Sequence, residues 1–281
     1  MRKIIIPTDF SENARNAIRY AVELFKYDRC EITFLHAFAD EVYENNLDIS
    51  RSLFEEYKNK TKQSAEKELE NLLKFVKEAS PNPRHDYIVK AVFSNLVDAV
   101  NELAETDNSD IVIMGTRGYT DDRDLTFGSN TLQLVKYVTC PVLAVPSKYA
   151  EWHPKEVLFP TPYLMPLKLR EIKLLSTICE KFKATIHLLY VSDYEKLSFR
   201  QQDNKAFLSS CLKDNYRQFH TKTGKDIVKT VNTFIEEENI DMLVMVNHRH
   251  SFLEDILYSN TIDKIGLKIQ VPFLILQNLP R

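Results

Sequence analysis

The chain has 281 residues, a formal net charge of −3, 27% charged residues and 44% hydrophobic ones. That length suits two domains, each large enough to bury its own core. The balance carries no basic nucleic-acid footprint, and the longest apolar runs, such as VPFLIL at 271–276, are far too short to cross a membrane.

The N-terminal stretch MRKIIIPTDFSEN turns polar too soon for a signal peptide. A cytoplasmic location, with neither membrane nor nucleic acid as a partner, is therefore expected. KIIIP reads as a strand, and SENARNAIRYAVELF as a helix with Ala14, Ile18, Ala21 and Phe25 on one face. EITFLHAF follows as a strand, then a long helical stretch from about Asp48 to Ala79. In that stretch Leu53, Tyr57, Ala65, Leu69, Leu72 and Val76 are expected to pack on a sheet. After a PNP break come DYIVKAVF (strand), NLVDAVNELAE (helix), DIVIM (strand), a glycine-containing loop, NTLQLVKYV (helix) and PVLAVP (strand). Alternating strands and helices predict an α/β fold with a doubly wound, mostly parallel sheet. Cys30, Cys140, Cys179 and Cys211 are scattered without ligand spacing and read as reduced thiols.

The pattern then restarts. KIIIPTD at 3–9 matches EVLFPTP at 156–162, ITFLHAF at 32–38 matches IHLLYVS at 186–192, and DIVIM at 110–114 matches DMLVM at 241–245. GSNT at 128–131 matches YSNT at 258–261, and CPVLAV at 140–145 matches VPFLIL at 271–276. One domain has been duplicated. The expected boundaries are a first domain over 1–147, a linker over 148–155 and a second domain over 156–281.

Only five glycines occur in the chain, and Gly115, Gly118 and Gly128 fall in MGTRGYTDDRDLTFGSNT at 114–131. This loop joins a strand to a helix, so it lies at a strand's carboxyl end, where doubly wound folds bind ligands. Glycine admits a close approach of backbone to ligand, and the N-terminus of the following helix attracts anions. Ser129 and Thr131 add hydroxyl donors. Neither GxxxxGK[ST] nor GxGxxG is present, which favours holding a nucleotide over cleaving it rapidly. On the loop alone, glycines that merely serve a turn are an equal alternative.

The spacing Gly115-x2-Gly118-x9-Gly128-Ser129 resembles the ATP-binding signature of the universal stress protein family, G-x2-G-x9-G-[S/T], and PTDF after the first strand resembles the family's first-strand ending. The resemblance runs through the whole chain as a tandem pair and implies two Rossmann-like domains of the adenine nucleotide alpha hydrolase-like kind. Each would have a mostly parallel five-stranded sheet, and together they would form an internal pseudo-dimer. It also implies that Pro7, Thr8, Asp9 and the backbone at Ala37 border adenine, with Asp9 accepting from its amino group. Met114 and Gly115 would flank the ribose, and Gly118, Gly128, Ser129, Asn130 and Thr131 would hold the phosphates. The family usually has valine where Ala37 stands. Arg117 is a further phosphate candidate, against the reading of an exposed loop arginine. The implied ligand is ATP or another adenine nucleotide. Slow hydrolysis would call for a divalent ion such as Mg2+, to which Asp121, Asp122 and Asp124 offer oxygen atoms, although these read more simply as a solvated acidic loop. A homodimer and a protein partner of unknown identity complete the expected associations.

The second half serves as an internal control. Pro162 stands where Asp9 would be, and the loop MVNHRHSFLEDILYSNT at 245–261 has no glycine. Tyr258 replaces Gly128, and Ser259, Asn260 and Thr261 read as helix-capping residues. The second domain is therefore expected not to bind ATP in the family manner. His248, Arg249 and His250 lack further ligands at metal spacing and read as a solvated loop. Three classes of function compete: an ATP-binding stress-response module, a slow ATP hydrolase, and a structural or protein-binding pseudo-dimer without nucleotide.

Overall fold

Short runs of Ile, Val and Leu set the strands, and the amphipathic stretches between them set the helices. The computed structural model describes residues 1–44, 50–116, 127–192, 196–247 and 270–278. They fall into two units, Met1–Lys148 and Tyr149–Arg281.

The first unit runs β1 (Arg2–Pro7), α1 (Glu12–Leu24), β2 (Cys30–Ala37), α2 (Ala39–Glu44), α3 (Arg51–Ala79), β3 (His85–Val92), α4 (Leu96–Thr106), β4 (Ile111–Gly115), α5 (Ser129–Tyr137) and β5 (Val142–Val145). Its strands lie in the order β3-β2-β1-β4-β5, with parallel pairing throughout. The chain departs from β1 in opposite directions toward β2 and β4, which makes the carboxyl ends of β1 and β4 a topological switch point. Ile4, Ile5 and Ile6 of β1 and all five residues of β4 are buried, as expected for central parallel strands covered on both faces. Each large aliphatic side chain so buried contributes about 1.5–3 kcal/mol.

Ser11 starts α1 by accepting from the backbone N–H of Ala14 at 3.2 Å, and Ala14, Ala17, Ile18 and Ala21 form its buried stripe. Asn95 caps α4 in the same way, accepting from Asp98 N–H at 2.9 Å. Helix α3 packs on β3 and β2 through Thr61, Ala65, Leu69, Leu72 and Val76. Leu53 departs from the expected packing stripe: it is 55% exposed, in the first turn of the helix.

The second unit runs β6 (Glu156–Pro160), α6 (Leu169–Phe182), β7 (Thr185–Val191), α7 (Phe199–Cys211), β8 (Tyr216–Lys222), α8 (Ile227–Glu237), β9 (Met242–Asn247) and β10 (Phe273–Gln277). Its strand order is β10-β9-β6-β7-β8, again with parallel pairing. The registers repeat those of the first unit. Ile4 pairs with Ile32 and Ile111, and its counterpart Val157 pairs with Ile186 and Met242. Val112 pairs with Val142, and Leu243 with Phe273. Among the described residues no helix is long and apolar enough to cross a membrane.

Candidate functional site

The first strand ends in a tightly braced turn. Thr8 N–H donates to Leu35 O at 2.9 Å, which continues the β1–β2 ladder one residue past Pro7. The Thr8 hydroxyl then accepts from Phe10 N–H at 3.0 Å, and Phe10 adopts a left-handed conformation with φ of 63°. Such a conformation is uncommon for a bulky residue, so the surrounding contacts must hold it. The Phe10 ring lies 4.7 Å from that of His36, whose Nδ1 is 2.8 Å from Thr8 O. A carbonyl only accepts, so this Nδ1 carries the proton.

Between these anchors Asp9 is exposed. Its Oδ1 accepts from Ser11 N–H at 3.1 Å and from the Ser11 hydroxyl at 2.6 Å, which fixes the carboxylate at the start of α1. Asp9 therefore braces the turn and presents a carboxylate at the switch point.

Next to β1, strand β4 ends in Met114 and Gly115. Met114 is 7% exposed, and Thr116 N–H bonds Val145 O at 3.0 Å. Gly128 is the N-cap of α5 with no side-chain capping bond, and its N–H returns to Thr116 O at 2.8 Å. Ser129 and Asn130 are exposed in the first turn, where helix N–H groups lack intrahelical acceptors. The donor set suits an anion. The Thr131 hydroxyl is instead committed inward: it donates to Gly115 O at 3.0 Å and Thr116 O at 3.1 Å, and the residue is 1% exposed. This corrects the expectation that Thr131 offers its hydroxyl to phosphate. Its geometry clasps the strand exit to the helix start.

Pro7, Thr8, Asp9, Ala37, Met114, Gly115, Gly128, Ser129, Asn130 and Thr131 thus stand at the carboxyl ends of three adjacent strands or the start of α5. Arg117 and Gly118 lie outside the described residues, as do Asp121, Asp122, Asp124 and the His248-Arg249-His250 segment. Sequence reasoning missed Phe10 and His36. The available signal was the repeat itself, since Tyr163 and Tyr190 occupy the equivalent positions and are also paired rings, 5.9 Å apart.

In the second unit the backbone of the turn is preserved and its chemistry is not. Thr161 N–H bonds Leu189 O at 2.9 Å, Tyr163 N–H donates to the Thr161 hydroxyl at 3.3 Å, and Tyr163 has φ of 55°. Pro162 occupies the place of Asp9, so the turn carries no carboxylate. Burial raises the Tyr163 phenol above its usual pKa.

Known proteins share this architecture. A universal stress protein of Methanocaldococcus jannaschii is 31% identical over 160 residues, spanning 52% of this chain and 96% of that relative. A second from the same organism is 26% identical over 149 residues, spanning 51% of this chain and 81% of the relative. The crystal structure of a universal stress protein from Archaeoglobus fulgidus has a TM-score of 0.73 at 17% identity and covers 98% of each chain, so the likeness in fold extends through both units. Residues 1–146 match the model of the universal stress protein family, and the chain belongs to that family.

Proposed function

We propose that this protein is a nucleotide-responsive stress protein in which the unit Met1–Lys148 binds one adenine nucleotide, ATP, and the unit Tyr149–Arg281 binds none. The observation that carries the reading is Asp9, an exposed carboxylate fixed by Ser11 at the carboxyl end of β1. It stands one strand away from the Gly115 exit and the Gly128 helix start.

In this reading Asp9 accepts from the exocyclic amino group of adenine. The Met114–Gly115 backbone flanks the ribose, and the first turn of α5 donates to the phosphates. Thr131 acts indirectly, by keeping the two ends of the phosphate loop together. Pro162 supports the silence of the second unit, because the same turn without a side-chain acceptor lacks the carboxylate that would meet the adenine amino group.

Calorimetric titration of ATP into the intact chain tests the assignment. A hydrogen bond to a charged group contributes about 1.5–3 kcal/mol, so Asp9→Ala should weaken binding by about tenfold or more. Thr161→Ala, the change at the equivalent turn of the second unit, should leave the affinity unchanged. Unchanged affinity in Asp9→Ala would remove the basis for the assignment.

A further inference from the structure

The second unit has a cavity where the first has its candidate nucleotide site. It opens at the carboxyl ends of β6, β7 and β9, the switch point of that sheet. Pro162 stands in the place of Asp9 and Val191 in that of Ala37, and the longer loop between β6 and α6 adds Leu164 and Met165 to the lining. A carboxylate has given way to a proline ring, and the loop brings two apolar chains to the same strand ends.

The cavity measures about 80 Å³, and Leu189 and Met245 complete the wall formed by Pro162, Leu164, Met165 and Val191. The two polar side chains in its described lining are engaged at the rim. The Thr161 hydroxyl accepts from Tyr163 N–H at 3.3 Å, and Asn278 Nδ2 donates to Pro166 O at 3.2 Å. Water in a cavity needs two to four polar partners, and this wall supplies few. At roughly 10–15 Å³ for one water, the space exceeds that of a single water several-fold. Leu164 and Met165, 53% and 44% exposed, stand at the mouth as apolar surface that a ligand would cover.

We infer that the second unit binds a small apolar molecule at the ends of β6, β7 and β9. The duplicated ligand position has changed ligand class: the polar purine site has been refitted as an apolar one.

The methionines provide the test. In the intact chain, labelled with carbon-13 at its methionine methyls, Met165 and Met245 report on the cavity, Met114 on the first unit's site, and Met1 and Met242 on background. Titrated toluene should shift Met165 and Met245 along a saturating one-site curve and leave Met114 in place. AMP should leave Met165 and Met245 unmoved. Val191→Phe, which fills the cavity, should abolish the saturating response. Leu164→Asp, a charge placed at the exposed mouth, should weaken toluene binding several-fold and remains informative if the filled variant does not fold. Absence of saturation at Met165 and Met245, an equal drift of all the methyls, or the same shifts with AMP would overturn the inference. The response of Met114 to ATP tests the nucleotide reading separately, so the two readings can fail independently.

Discussion

At position 131 a threonine hydroxyl that could face a phosphate instead holds two backbone carbonyls. Thr131→Val keeps the shape and removes the donor, so it should destabilise the first unit by about 1–2 kcal/mol, read as a lower urea midpoint. Ser129→Ala, at the exposed first residue of α5, should leave that midpoint nearly unchanged and weaken ATP binding in calorimetry. The pair separates a bracing hydroxyl from a ligand-facing one. Asp241 makes a different residue-scale case. Its carboxylate accepts from the N–H groups of Lys155 and Glu156, and burial pushes its pKa from 3.8 up to about 6, against the opposing pull of those N–H groups. The negative charges of Glu156 and Glu151 add to the rise. Below the ordinary value the group is protonated whether the chain is folded or unfolded. Between about 4 and 6 the unfolded chain releases the proton while the folded chain keeps it, so stability should fall as pH rises through that window. Asp241→Asn should flatten this slope in denaturant titrations at a series of pH values. An unaltered slope would assign the pH dependence to other groups.

At the scale of elements, what the sequence made legible was periodic or repeated. The matched strand pairs recur as matched registers, with Val112 beside Val142 and Leu243 beside Phe273, because buried parallel strands read as apolar runs that can be aligned by eye. The short helix Ala39–Glu44 escaped, since six residues are too few to establish a helical period. Leu53 falls in the expected packing stripe because the apolar period continues past the region where the helix covers the sheet. The site divides along the same line. Asp9 and the glycines were legible as spaced types, whereas the inward turn of Thr131 and the Phe10–His36 pairing depend on contacts between distant segments. The apolar cavity was hidden for that reason too, its wall being assembled from separate strand ends and the Tyr163–Lys168 loop. Amide hydrogen exchange tests the division of labour between elements. With ATP present, β1, β4 and the start of α5 should gain protection, while β6 and β9 should not.

For the whole molecule, the two units share one strand order, and the proposed reading gives them two kinds of ligand position. A ligand that binds only the folded first unit stabilises it by about 2.7 kcal/mol at a hundredfold excess over its dissociation constant, and in the proposed function that linkage is what would couple the protein to nucleotide level. The central claim is the asymmetry, and the number of nucleotides held per chain tests it most directly. Calorimetry with ATP at saturation, checked by quantifying the nucleotide released on denaturation, should give one adenine nucleotide per chain. A value of two, or no binding, would contradict the account.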